Sequence, residues 1–289
     1  MRARRLILRL LAVAGLILAV LVLNTGRNVA GWVPLSDTPA ERLAELSPDW
    51  RLIRPPGQGP HSAAVLLSGC DGVHDNMDRW ARLFVAQGRA ALIVNSHRPR
   101  ALDRHQVWRA VCAGQVLTGA ERAGDLAVAL AALPGLGLRG DDVIVLGASH
   151  GGWTAMELMA QLADGDPPPG LTVWPEPPAQ LAARVGRLML LYPYCGFASR
   201  ADADWPPGIG GLMLLAEDDR ITDPAACRDM AADLAARGVP LKVAVIAGVD
   251  HGFDQRRRSV LSPLRFHAAA TARAEAMMAA FASGSPDGL

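Results

Sequence analysis

The segment Val143-Ile144-Val145-Leu146-Gly147-Ala148-Ser149-His150-Gly151-Gly152 sets a serine in G-x-S-x-G-G, behind an apolar run and ahead of a helical pattern. A strand that turns sharply into a helix at a serine holds that residue in a strained conformation. Its hydroxyl is then exposed at the carboxyl edge of a sheet. The flanking glycines are needed because a Cβ there would run into the neighbouring strand or helix. The helix N-terminus that follows favours negative charge developing beside the hydroxyl. The five-residue motif recurs by chance, but between a strand and a helix it marks Ser149 as a nucleophile for acyl transfer.

A serine hydroxyl needs a base within hydrogen-bond reach. In this strand–serine–helix arrangement the chain order is Ser, then acid, then His. His251 and His267 follow at a distance, whereas His61, His74, His97 and His105 come before Ser149. His251, in Gly248-Val249-Asp250-His251-Gly252-Phe253, stands after the last apolar run, where a loop would return it over the serine. His267 lies among alanines on the final helical pattern and reads as a solvent-facing side chain. The acid belongs after the preceding strand, where Ala216-Glu217-Asp218-Asp219-Arg220 supplies Asp218 and Asp219. Its role is to hold the imidazole tautomer and stabilise the imidazolium. Two backbone amides must receive the oxyanion. His150 supplies one, and the Ser68-Gly69-Cys70-Asp71-Gly72 turn supplies the other, Cys70 being placed best. Each such donor is worth about 3 kcal/mol in the transition state.

Taken together these residues resemble the dienelactone hydrolase-like α/β-hydrolases over roughly 63–282. The likeness rests on Gly69-Cys70-x-Gly72, Ser96 to Arg100, Cys112 before a capped helix, and the Ser149 turn. It continues through Leu191-Tyr192-Pro193-Tyr194-Cys195, the Ala216 to Thr222 loop and Asp250-His251-Gly252-Phe253. The resemblance implies an α/β-hydrolase fold and a carboxylic ester or related acyl bond as substrate. It also favours Asp219 as the acid, three positions after the small residue Ala216. Two departures stand out. The dienelactone enzymes use a cysteine nucleophile where this chain has Ser149, and Ser68 replaces a frequent histidine before the Gly-Cys turn. Peptidase or transacylase chemistry would use the same parts, and a non-catalytic binding or envelope-assembly module would keep the shape without the rate.

Within that framework Cys195 ends a strand and Cys227 lies in the first turns of the helix after the next. Cys70 and Cys112 flank the oxyanion-side loops. Four cysteines allow three connectivities, and Cys70–Cys112 with Cys195–Cys227 is the pairing expected here. Arg98, Arg100, Arg256, Arg257 and Arg258 are candidates for a positive pocket mouth, Arg100 being the candidate substrate residue, set against the plainer reading of a solvated face. Trp153 and Trp174 are candidates for an apolar acyl pocket. No metal or other cofactor is implied, because no cluster outside the triad has ligand spacing.

The elements that must position these residues are short apolar runs, at Ala64–Leu67, Ala90–Val94, Val143–Leu146, Leu188–Tyr192, Leu212–Leu215 and Val243–Ile246. Continuous apolar strands are what a parallel sheet covered on both faces requires. Helical patterns lie between them. Asp75 is read as a cap for Met77, Trp80 and Phe84; Thr118 with Glu121 as a capping box; and Asp223-Pro224 as an N-cap and first helical residue. A last stripe runs Phe266, Ala270, Ala274, Met277, Phe281. The pattern predicts a doubly wound, mostly parallel α/β sheet. Trp50 to Ile53 reads as an edge strand within a 31–60 linker, 61–289 as the main domain, and the Pro-rich 164–183 insertion as a rim or lid.

Residues 1–30 stand apart. Arg2, Arg4, Arg5 and Arg9 precede an apolar run from Leu10 to Leu23, about 18 residues when Leu6 to Leu8 are included. Asn28-Val29-Ala30 is a poor cleavage site, because Asn is not small and apolar at −3, and no cysteine follows for a lipoprotein site. An uncleaved anchor is therefore favoured over a cleaved signal. The basic end stays in the cytoplasm and the rest crosses to the periplasmic side. With 29 Lys plus Arg against 28 Asp plus Glu, and a net charge of +1, nothing calls for a nucleic acid partner. The expected partners are a small-molecule acyl substrate and, through the N-terminal segment, a membrane.

Overall fold

The computed structural model describes residues 2–34, 36–200, 202–258 and 262–284. In chain order the elements are α1 (Arg2–Val29), α2 (Pro39–Leu46), β1 (Arg51–Ile53), β2 (Ala63–Leu67), α3 (Asp75–Ala86), β3 (Ala90–Val94), α4 (Trp108–Cys112) and α5 (Gly119–Ala132). Then follow β4 (Val143–Ala148), α6 (His150–Asp164), α7 (Pro178–Arg184), β5 (Val185–Leu191), β6 (Gly211–Ala216), α8 (Pro224–Ala236), β7 (Leu241–Ile246) and α9 (Ala268–Ala282).

Each apolar run forms a strand of one seven-stranded sheet, ordered β1-β3-β2-β4-β5-β6-β7. All pairings are parallel except β1 against β3. Alternation of side chains along β2 divides the core in two. Ala63, Val65 and Leu67 face α5, α6 and α8 through Leu126, Leu130, Met156, Met159 and Leu234. Ala64 and Leu66 face α3 and α9 through Met77, Trp80, Phe84, Ala274 and Met278. Burying a side chain such as Phe84 or Leu126 stabilises the fold by about 1.5–3 kcal/mol.

Several helix ends differ from the sequence expectation. The N-cap of α3 is His74, and Asp75 instead accepts the Arg256 and Arg257 amides. Thr118 caps α5 by accepting from the Glu121 amide without the reciprocal half of a box. His267 is exposed, as expected, but stands at the N-cap of α9 and not within it, its Nδ1 accepting from the Ala270 amide at 3.1 Å. The buried stripe of α9 is Ala270, Ala274, Met278 and Ala282, with Met277 and Phe281 at its margin. The 31–60 segment holds more than a linker and edge strand, since α2 starts at a full capping box between Thr38 and Glu41. The Pro-rich insertion is not wholly irregular either, as α7 forms its end.

Helix α1 is long and apolar enough to cross a membrane, by length and composition, with mean hydropathy 2.9 over its best window and none of that window buried. Its last two turns are tied to the loop after α4. Asn24 Nδ2 donates to the Gln115 carbonyl at 2.7 Å, and Asn28 Nδ2 donates to the Gly114 and Gln115 carbonyls at 3.0 and 2.9 Å.

Candidate active site

Ser149 sits between β4 and α6 with φ 53° and ψ −116°, in the left-handed half of the map where a β-carbon is strained. The turn is tight enough that a Cβ on Gly147 would come within 2.3 Å of the Gly151 carbonyl oxygen. One on Gly151 would come within 2.4 Å of the Leu67 carbonyl oxygen. Glycine at both places lets α6 start directly over the sheet, and the Ser149 amide is held by the Leu191 carbonyl at 2.9 Å.

The loops after β6 and β7 close over this turn. His251 Nε2 lies 2.8 Å from Ser149 Oγ, and His251 Nδ1 lies 2.7 Å from Asp219 Oδ2. Asp219 also accepts the Ile221 and Thr222 amides at 2.9 and 2.8 Å and the Thr222 hydroxyl at 2.9 Å. Burial pushes the Asp219 carboxyl up, but the His251 bond and these amides outweigh it and hold the group below its ordinary value. An ionised Asp219 accepts from Nδ1–H and leaves the Nε2 lone pair toward the serine hydroxyl. Asp218 is exposed, and its amide donates to the Val249 carbonyl. Beneath the imidazole, Tyr192 packs edge-on at 4.7 Å, its hydroxyl donating to buried Asp254, which also accepts from Trp80 Nε1 at 2.7 Å.

No family model and no curated protein matches the sequence. Solved structures do match in fold. A candidate dienelactone hydrolase from Klebsiella pneumoniae subsp. pneumoniae superposes with TM-score 0.62 at 15% identity, over 81% of this chain and 92% of that one. A dienelactone hydrolase-like promiscuous phosphotriesterase from metagenomic libraries gives 0.57 at 17%, over 81% and 97%. Esterase 2 of Thermogutta terrifontis, phosphoramylated by tabun, gives 0.60 at 15%, over 82% and 89%. The chain has an α/β-hydrolase fold.

The turn after β2 and the start of α6 meet beside Ser149. A Cβ on Gly69 would stand 3.6 Å from Ser149 Cβ, so this turn passes directly beside the serine. Cys70 and His150 both border the cavity above Ser149. Cys70 is clamped twice, by a disulfide to Cys112 and by His97 Nε2–H donating to its carbonyl at 2.9 Å. Burial, then the nearby Arg122 charge, pushes His97 down to about 3, so its ring is neutral. The second disulfide joins Cys195 to Cys227.

Sequence reasoning missed the charged network behind this turn. Arg122 is fully buried and donates to the Ser68 carbonyl at 2.8 Å, to Ser96 Oγ at 3.0 Å and to His150 Nδ1 at 3.2 Å. Burial lowers Arg122 to about 10, Asp125 opposing the shift, so it stays charged at neutral pH. Burial, then the Arg122 charge, also keeps the His150 ring neutral. Charged residues are so seldom fully buried that no pattern in the sequence flags Arg122.

Arg100 does not reach the cavity. Both of its terminal nitrogens bind buried Asp125 at 2.9 Å, and one also binds the Ser96 carbonyl. Arg98 pairs with Asp49, and Arg256 stacks over Phe266, so the positive mouth expected from these arginines does not form around Ser149. Trp153 borders the cavity, lodged where Gly119 leaves room for its ring. Trp174 packs against the core instead and donates to the Gly165 carbonyl.

The cavity that contains Ser149 and His251 has a volume of about 850 Å³, in the range of small-molecule sites. Trp153, Glu157 and Gln161 line it at i, i+4, i+8 along α6. Glu157 accepts from Trp153 Nε1 at 2.7 Å and from the Arg200 amide at 2.7 Å, and burial raises its pKa. The Pro-rich insertion contributes Asp166, Pro167 and Pro169 to the wall. Among the described residues no group of His, Cys, Asp and Glu side chains could hold a metal ion.

Proposed function

We propose that the protein is a serine hydrolase of carboxylic esters or related acyl bonds, anchored by α1 with its hydrolase domain on the periplasmic side. The observation that carries this reading is the continuous Asp219–His251–Ser149 hydrogen-bonded chain on a strained strand-to-helix turn. Ser149 Oγ attacks the acyl carbon as His251 Nε2 takes its proton, and the amides of Cys70 and His150 receive the oxyanion. His251 returns the proton to the leaving alkoxide as the acyl–oxygen bond breaks. A water then attacks the acyl-enzyme, giving its proton to His251, and the acid leaves as Ser149 recovers its hydrogen. Asp219 stabilises the imidazolium in both halves. The fold neighbours named as esterases and as a phosphotriesterase support hydrolysis as the reaction class. The apolar α1, the arginines in its first turns and two disulfides support export and anchoring.

The test is the intact mass of the full-length protein in detergent after treatment with a fluorophosphonate, with Ser149→Ala alongside. The expected result is one adduct on the wild type and none on the variant, followed by turnover on an ester panel. A folded wild-type protein that takes no adduct would favour a non-catalytic binding or envelope-assembly module.

A further inference from the structure

The end of α1 forms part of the wall of the cavity that holds Ser149. Thr25, Asn28, Val29, Ala30 and Gly31 line the same space as Ser149 and His251. The apolar run of α1 ends at Leu23, so this wall begins within the next helical turn. A helix of this length crosses a bilayer core of about 30 Å and puts the residues after its apolar run at the membrane–water interface. The placement is fixed by bonds from both sides, Asn24 and Asn28 donating to the Gly114 and Gln115 carbonyls and Gln115 Nε2 donating to Thr25 Oγ1 at 2.8 Å. From the other direction the Pro-rich insertion meets the same point, Pro169 lying where a Cβ on Gly31 would be 3.3 Å away. Anchor and rim thus enclose the active-site cavity jointly.

The side chains around this opening suit a membrane surface. Phe197 and Ile221 border the cavity yet are 77% and 50% exposed, and Trp32, one residue beyond the wall, is 72% exposed. Exposed apolar residues grouped at one opening mark a binding surface, and tryptophan favours the interfacial layer. A substrate that diffuses through water gains nothing from an entrance held against the lipid. An amphiphile whose acyl chain already lies in the bilayer reaches Ser149 without bringing that chain into water.

We propose that the substrate is an acyl ester of a membrane-resident amphiphile, taken up from the outer leaflet of the bilayer that holds α1. This inference rests on the serine hydrolase reading. It adds where the substrate lies and what class of molecule it is.

The test uses the full-length protein reconstituted in vesicles of a non-hydrolysable ether phospholipid, with two fluorogenic esters of one leaving group. One ester carries a long acyl chain and partitions into the bilayer; the other is short and soluble. Hydrolysis of the embedded ester is expected to fall in proportion as it is diluted with ether lipid at constant bulk concentration. The rate on the soluble ester stays constant. Trp32→Asp is expected to lower the embedded-ester rate several-fold and leave the soluble-ester rate unchanged. A rate on the long ester that ignores surface dilution, or hydrolysis of the soluble ester alone, overturns the proposal and leaves the hydrolase reading standing. Hydrolysis of neither by folded protein removes both. A mass showing cleavage near Ala30 also overturns it, because the cavity would lose that wall.

Discussion

At the scale of single residues, the distances around Ser149 lead to separable expectations. Asp219→Asn keeps the bonding shape but favours the wrong imidazole tautomer, and kcat is expected to fall about 10⁴-fold with little change in melting temperature. Comparable activity in this variant, measured by ester hydrolysis, would mean that Asp219 does not orient His251. Arg122 acts at one remove in the proposed mechanism, because its guanidinium holds the Ser68 carbonyl, Ser96 and the His150 ring beside Ser149. Arg122→Met leaves buried acceptors unmatched at about 1–3 kcal/mol each. It is expected to lower kcat more than it raises KM, with partial recovery in Arg122→Lys. The sequence made these two residues unequally visible. Chain order pointed to Ser149 and His251, and family resemblance separated Asp219 from Asp218. Arg122 looks like any helical arginine, and only the fold shows that its neighbours are Ser68 and Ser96. Arg100 carried the opposite signal, since it belonged to a set of arginines read as a positive pocket mouth while its charge is matched by Asp125.

At the scale of elements, the same carboxylate joins three segments. Asp125 on α5 binds Arg42 of α2 at 2.8 Å and Arg100 of the loop after β3, and it is fully buried. Burial raises the Asp125 carboxyl, but the Arg100 ion pair and the Arg42 charge outweigh it and hold the group below its ordinary value of 3.8. Because the folded pKa lies below the unfolded one, this contribution is fully present above 3.8 and is lost as pH falls through the folded value. Asp125→Asn is expected to cost about 3–5 kcal/mol at neutral pH, by taking the carboxylate from Arg100 and leaving buried Arg42 with Asp37 alone. The gap between variant and wild type should narrow below about pH 4, followed by denaturant unfolding across the acid range. A gap independent of pH would show that Asp125 stabilises by packing alone. The strands were legible because β2, β3, β4 and β6 are buried throughout and so read as unbroken apolar runs. Helix α2 was not read, although Thr38-Pro39-Ala40-Glu41 carries its capping box, because one short helix with a buried arginine offers too little apolar periodicity to separate it from a linker. The cap of α3 shifted by one residue because Asp75 binds the amides after the His251 loop, a contact no local pattern encodes.

At the scale of the whole molecule, two disulfides tie together segments that are distant in sequence. Cys70–Cys112 closes a separation of 42 residues and Cys195–Cys227 one of 32. Loop-closure entropy assigns about 4 kcal/mol to each. Native domains are stable by only about 5–15 kcal/mol, so the two together account for a large share of the margin. Such a chain is suited to an oxidising compartment, as export through α1 would provide. The bonds also differ in what they restrain. Cys70 lies in the turn beside Ser149 and Cys112 borders the cavity, whereas Cys227 is buried in α8 and neither it nor Cys195 borders the cavity. Cys112→Ser is therefore expected to slow fluorophosphonate labelling of Ser149 as well as lower the melting temperature. Cys227→Ser should lower the melting temperature by a similar amount and leave the labelling rate of the folded protein close to wild type. Melting curves and labelling rates on the full-length protein, with and without reductant, separate these effects. If reductant changed neither quantity, the bonds would not restrain the fold, and the turn at Cys70 would have to be held by His97 and Arg122.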